Sequence, residues 1–209
     1  MSPRDPNITD FESEIEIVRR GRPPIPPSRV LAAADALFAD ANSPRTVTMD
    51  AIAAAAGVGK GTLFRAFGSR DGLLDALWTA KLAALGETVE GGEPPLGPGA
   101  PSRERVVALL DALLTFKLEN RHLIRAREGA PRLLQSDHYK WMHGLLRNLI
   151  EDAALRATVD DAGYAAHVLL AALHIDLVEE LLASGLSPQM IRRAQAAHAR
   201  AVIDDARRG

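Results

Sequence analysis

The twenty residues from Thr48 to Phe67, TMDAIAAAAGVGKGTLFRAF, leave this chain few ways to fold. Thr48 suits a helix N-cap, because its hydroxyl can accept from a first-turn amide that has no helical partner. Ile52, Ala53 and Ala56 then share one apolar face. Gly57 stands where that helix has to stop, at a position that favours a left-handed backbone. Val58, Leu63 and Phe67 return the chain to the same core. Small residues at the contact and a glycine at the turn let two short helices meet at a steep angle. The stretch reads as a helix-turn-helix whose second helix is shaped for a DNA groove.

Charge agrees with this once it is divided along the chain. The net charge is −2. Residues 1–18 carry Arg4 against Asp5, Asp10, Glu12, Glu14 and Glu16, a net −4. Residues 19–72 carry Arg19, Arg20, Arg22, Arg29, Arg45, Lys60, Arg65 and Arg70 against Asp35, Asp40, Asp50 and Asp71, a net +4. A basic module joined to an acidic body is the asymmetry expected when only one end meets phosphates.

Hydrophobic residues make up 47% of the 209, much of it Ala and Leu, which favour helix. That length holds one large domain or two unequal ones. No apolar run approaches the roughly 20 residues of a membrane span. The acidic N-terminus is not a secretory signal. With no cysteine, disulfides, thiol catalysis and Cys-ligated zinc are excluded. The expectation is a cytoplasmic protein without a membrane partner.

Punctuation supplies the rest of the layout. Ser28 is read as the cap of a first helix with Val30, Leu31, Ala34, Leu37 and Phe38 inward. Ser69 caps a fourth helix that runs towards residue 88, and GGEPPLGPGAP (91–101) is a flexible break. Ser102 opens a fifth helix. One or two short helices lie within 121–135, then a helix runs from Asp137 to about Ala157. A single helix from Asp160 or Asp161 to Ser184 ends at Gly185, and Ser187-Pro188 starts the last one. No strand alternation is present, so the fold class is all-α. Residues 1–27 read as a disordered acidic tail and basic arm, 28–72 as the helix-turn-helix domain, and 73–209 as a larger helical domain.

The order of these signals (RVLAAADALFAD, then TMDAIAAAAGVGKGTLFRAFGSRDGLLDAL) resembles the DNA-binding domain of the tetracycline-repressor (TetR) family of bacterial regulators. The resemblance implies a recognition helix from Gly59 to Phe67 lying in the major groove. It implies DNA contacts by Lys60, Gly61, Thr62, Phe64 and Arg65, with Thr48 and Arg70 as phosphate clamps at helix N-termini. Where the family usually has tyrosine this chain has Phe64, so a phenolic phosphate contact is lost. Upstream, Arg20-Gly21-Arg22-Pro23 has the core pattern of an AT-hook, whose arginines enter a narrow minor groove. A basic arm adding only phosphate attraction is the plainer reading.

The resemblance further implies a homodimer on a palindromic operator and a C-terminal domain that senses a small apolar or amphipathic effector. A repressor released by that effector is expected; an activating or ligand-independent regulator is the alternative. Trp78, Phe116, His122, Trp141, Met142, His143, His167 and His174 are the candidate pocket walls, with core packing as the other reading. Leu169, Leu173, Leu177, Val178 and Leu181, with Met190, Ile191, Ala194, Ala197 and Ala201, are the candidate dimer faces, unless one monomer buries them.

Enzymatic motifs fail on inspection. Around Gly59-Lys60 a P-loop would need glycine at Ala54, a hydroxyl at Gly61 and a preceding strand. Glu119-Asn120-Arg121-His122 lacks the second copy a di-iron bundle requires. The six histidines form no compact zinc pattern. No catalytic residue, cofactor or metal is expected, and a helical-bundle enzyme of unrecognised type is the competing class.

Overall fold

The computed structural model describes residues 26–126, 133–154 and 159–206, and every regular element among them is helical. The helices are α1 (Pro27–Asp40), α2 (Met49–Ala56), α3 (Lys60–Phe67), α4 (Arg70–Gly91), α5 (Ser102–Glu119), α6 (Arg121–Ala126), α7 (Asp137–Ala154), α8 (Val159–Ala171), α9 (Ile175–Ala183) and α10 (Pro188–Ala206). Short 3-10 turns occupy Pro44–Thr46 and Leu133–Gln135. None of the described helices is long and apolar enough to cross a membrane.

Local chemistry explains most boundaries. The Thr48 hydroxyl accepts from the Ala51 amide at 3.2 Å. Gly57 has φ +67°, and the amides of Gly57 and Val58 close back on the carbonyls of Ala54 and Ala53. This two-bond stop needs a left-handed residue, which glycine supplies without a Cβ penalty. The Ser69 hydroxyl accepts from the Gly72 amide at 3.0 Å, starting α4. Gly185 (φ +98°) ends α9 in the same way, with Leu186 packed back against the core.

Three expectations change. Ser28 does not cap α1: Pro26 is the N-cap and Pro27 the first helical residue, its ring presetting φ. The break after α4 is docked, since Arg105 donates from Nε to the Leu96 carbonyl (3.1 Å) and from its terminal nitrogen to that of Val89 (3.0 Å). The helix expected from 160 to 184 is two helices, α8 and α9. At the join, the amides of Leu173 and His174 reach back only three residues, which tightens the turn and ends α8. The carbonyl of Leu173 is freed by the break, and Lys117 Nζ donates to it at 2.7 Å.

Two cores result. The first joins Val30, Ala34 and Phe38 of α1, Ile52, Ala53 and Ala56 of α2, Leu63 of α3, and Leu73, Leu74 and Leu77 of α4. Leu123 and Ala126 of α6 complete it. The second gathers α5, α7, α8, α9 and α10 around residues such as Leu109, Leu113, Leu146, Ile150, Leu169 and Ile203. Helix α4 serves both, because Val89, near its other end, lies in the second core.

Arg70 links the first core to its neighbours. Its guanidinium lies 5.4 Å from the centroid of the Phe38 ring. It donates to three backbone carbonyls: Val47 (3.1 Å), Ala126 (3.0 Å) and Pro44 (2.8 Å). Charge-assisted bonds of this kind are the strong ones, and removing the donor strands partly buried acceptors. Arg70→Ala should therefore lose about 2 kcal/mol or more of unfolding free energy in urea. A loss within experimental error would show the clamp to be idle.

Lys117 gives a pH-dependent test of the second core. Burial pushes its ammonium from 10.5 down to about 8. Between those values the folded chain holds fewer protons than the unfolded one, so stability rises as pH climbs through that window. Unfolding free energies at about pH 7 and about pH 10 should show the wild type gaining on Lys117→Met. A difference independent of pH would contradict the burial.

Candidate nucleic-acid interface

Helix α3 buries Leu63 fully, packs Phe67 half-buried against the same core and turns its other residues outward. Leu63 is 1% exposed and anchors the helix in the first core. Lys60, Gly61, Thr62, Phe64 and Arg65 are all exposed, so the recognition residues read from the sequence share an open surface. Phe64 is 40% exposed although apolar, which favours contact with a thymine methyl or a sugar over a core role. A Cβ at Gly61 would meet nothing within 4 Å, so glycine there leaves space in front of the helix without being required by the fold.

The two cations of α3 differ. Lys60 Nζ lies 2.8 Å from the Asp50 carboxylate on α2 and 6.0 Å from the centroid of the Phe64 ring. Both partners of that ion pair are mostly exposed, so its net worth is small and a phosphate can compete for the lysine. Arg65 has no ion-pair or hydrogen-bond partner among the described residues. Its fork is free for the bidentate geometry that guanine offers in the major groove.

Of the two expected phosphate clamps, Thr48 and Arg70, one keeps its place at the surface. Thr48 is exposed, and its oxygen is engaged as an acceptor in the cap, leaving the hydroxyl hydrogen to donate. Arg70 is a correction: its guanidinium is turned inward onto Pro44, Val47 and Ala126, so it holds α2 in position instead of reaching outward. A helix N-terminus offered the sequence reading a plausible anion, but three nearby carbonyls were the closer acceptors. Arg20, Gly21 and Arg22 lie outside the described residues. Arg29 was not foreseen: it is exposed on α1, and its guanidinium is 3.9 Å from where a Cβ on Gly57 would stand. Its only sequence signal was a cation in the first turn, where the helix dipole disfavours one.

The eight pocket candidates divide among several local contacts. Trp78 meets Phe116 edge-on at 5.0 Å, bridging the first core and α5. His122 Nε2 is 3.0 Å from the Asp35 carboxylate, which also pairs with Lys81 at 2.8 Å. Burial opposes ionisation there, yet hydrogen bonds from Lys81 and His122 hold Asp35 below the ordinary carboxylate range. Met142 is core, and Trp141 packs partly buried against it. His143 and His167 stack at 3.9 Å beside Tyr139, whose hydroxyl is 2.6 Å from His167 Nδ1. Desolvation, then the neighbouring His143, lowers the His167 pKa. His174 is exposed at the start of α9, with Asp176 3.6 Å away. Each side chain has a local partner, which is the packing alternative.

The proposed dimer faces divide by burial. Leu169, Leu173 and Val178 are fully buried, Ile191 is 5% exposed, and Leu181 packs partly buried, so these five belong to the monomer's second core. Leu177 (44%) and Met190 (53%) are exposed, as are Ala194, Ala197 and Ala201. The sequence reading missed Tyr164 of α8, which is 74% exposed. The helical period of the apolar positions marked these residues as helical but could not say which side faced their own bundle.

Comparison with known proteins bears on the same region. Residues 30–77 match the model of bacterial regulatory proteins of the tetR family. Among curated proteins no sequence matches. A TetR-like transcriptional regulator from Rhodococcus sp. RHA1 is similar in structure, with TM-score 0.55 and 24% identity over 82% of this chain and 92% of its own. A second Rhodococcus sp. structure, assigned to the TetR family of transcriptional regulators, gives TM-score 0.61 and 19% identity over 85% and 98%. At those identities the two structures speak for a shared fold. The match over residues 30–77, from α1 to α4, makes this part of the chain similar to the helix-turn-helix domain of bacterial regulatory proteins of the tetR family.

Proposed function

We propose that the chain is a homodimeric repressor that binds a palindromic operator through α3 and lets go when a small molecule occupies the C-terminal helices. The observation that carries this is the outward set Lys60, Gly61, Thr62, Phe64 and Arg65 on a helix anchored by Leu63 and, half-buried, Phe67. Such a helix presents base-reading donors and methyl-contacting groups without disturbing its own packing.

A palindromic site calls for twofold symmetry, and α10 offers a surface for it. Met190, Ala194, Ala197 and Ala201 recur at helical spacing on its exposed side, where small residues allow a second helix to come close. Tyr164 of α8 and Leu177 of α9 are further exposed apolar residues. Release then requires the effector to bind the DNA-incompetent arrangement of the two α3 helices more tightly than the competent one. A cytoplasmic location follows from a DNA partner.

In vitro selection of binding sites from random DNA should return two half-sites in inverted repeat. Recovery of no preferred sequence would remove the DNA-reading role. Arg65→Ala should relax preference at one position per half-site, costing about 1–3 kcal/mol against the preferred base. Uniform weakening on all sequences would instead make Arg65 a phosphate contact. Ala197→Glu should shift light scattering from dimer towards monomer and cut operator affinity; an unchanged dimer would move the interface off α10.

A further inference from the structure

The α5–α10 side of the second core holds a feature that DNA binding does not use. A groove of about 870 Å³ runs between the two helices, and Pro95 from the docked 92–101 segment lies along it. Its apolar lining is Val107, Ala108, Leu110 and Leu114 of α5 with Ala196 of α10. Its charged lining is Arg103, Arg192, Arg193 and Arg200 against Glu104 and Asp111. The volume falls in the range of small-molecule sites, about 300–1,000 Å³.

The arginines are not equivalent. Arg103 is bidentate to Asp204, and Arg192 pairs with Asp111 at 3.3 Å and donates to Thr115. These two pairs tie α5 to α10 and neutralise themselves. Arg193 and Arg200, one on each side of Ala196, have no carboxylate partner among the described residues. At about 100° per residue they sit between the groove residues Arg192 and Ala196 and the exposed stripe of Met190, Ala194, Ala197 and Ala201. An apolar floor with two unpaired guanidinium groups at one rim, set against Glu104 as the single lining carboxylate unpaired among the described residues, is complementary to a molecule with an apolar body and an anionic head.

The geometry points to this groove as the binding site of an amphipathic organic anion: rings or chain on Val107, Ala108, Leu114 and Ala196, carboxylate, sulfonate or phosphate on Arg193 and Arg200. Arginine is the apt residue, since its fork grips such oxygens in a bidentate way. Because Arg193 and Arg200 border the α10 stripe, an anion drawing them inward acts beside the proposed dimer contact. Binding itself stands apart from the ligand-release reading; only its consequence for the operator rests on that reading.

The test uses the full chain and two fluorescent probes with the same rings, anilinonaphthalene sulfonate and the neutral phenylnaphthylamine. The sulfonate should bind about tenfold more tightly than the neutral probe, the effect of one charge-assisted contact. Arg193→Gln with Arg200→Gln, both exposed positions, should erase that preference while leaving neutral binding within about twofold. Ala108→Trp, which fills the floor, should weaken both probes. Equal affinities in the wild type, or a preference that survives the double variant, would overturn the site. Added to a protein–operator complex, the sulfonate should free the DNA. A preference lost in the double variant but without DNA release keeps the groove and overturns ligand release. Release that the double variant does not alter puts the effector elsewhere and overturns the groove.

Discussion

The guanidinium of Arg70 fixes where the recognition helix can be. Helix α3 is eight residues long, with one fully buried side chain, and cannot hold its own direction. It inherits direction from α2 through the Gly57 turn, and α2 begins just after Val47. Arg70 takes the carbonyls of Pro44 and Val47, so the segment leading into α2 is tied to the first turn of α4. Its third bond, to Ala126, ends α6 against the same module. Three acceptors from two segments on one planar fork is a task a lysine could not match, because its ammonium is a compact point donor without that fixed geometry.

Helices α4 and α6 thereby belong to two environments at once. Leu73 and Val89 stand near opposite ends of α4 and sit in different cores. Leu123 and Ala126 of α6 are in the first core, while Arg125 of the same helix reaches Glu179 of α9 at 2.6 Å. Asp35 adds a lateral tie, accepting from Lys81 on α4 and His122 on α6. Densely packed elements shift as units and do not deform smoothly. A displacement of α9 or α4 therefore has few places to go other than the base of α1 and the turn before α2.

What the sequence disclosed and what it hid follow one rule. Boundaries written in caps and left-handed turns were legible: Thr48, Gly57, Ser69 and Gly185 all do locally what their chemistry suggests. The outward side of α3 was legible too, because a helix with one strong apolar anchor leaves little ambiguity. Features that depend on a distant partner were not. The join of α8 and α9 carries neither glycine nor proline, and its freed carbonyl is matched by Lys117, 56 positions away. Arg70 sits at a helix N-terminus like a phosphate ligand, and only the positions of Pro44, Val47 and Ala126 show that its guanidinium is turned inward onto three carbonyls. Leu169, Leu173, Val178 and Ile191 had the pattern of an interface because a core stripe and a contact stripe obey the same period.

That period also explains how α10 can serve the core and the groove and keep a third side open. Ile191, Ala199 and Ile203 point into the second core. About a fifth of a turn away, Arg192, Ala196 and Arg200 line the groove with α5. The remaining side, Met190, Ala194, Ala197 and Ala201, is open. A helix 19 residues long has room for each side to be several residues deep, but none can rotate without turning the other two. The ion pairs Arg103–Asp204 and Arg192–Asp111 set the angle of α10 relative to α5. Any charge that competes for the arginines beside them acts on that angle, and through it on whatever rests against the alanine stripe.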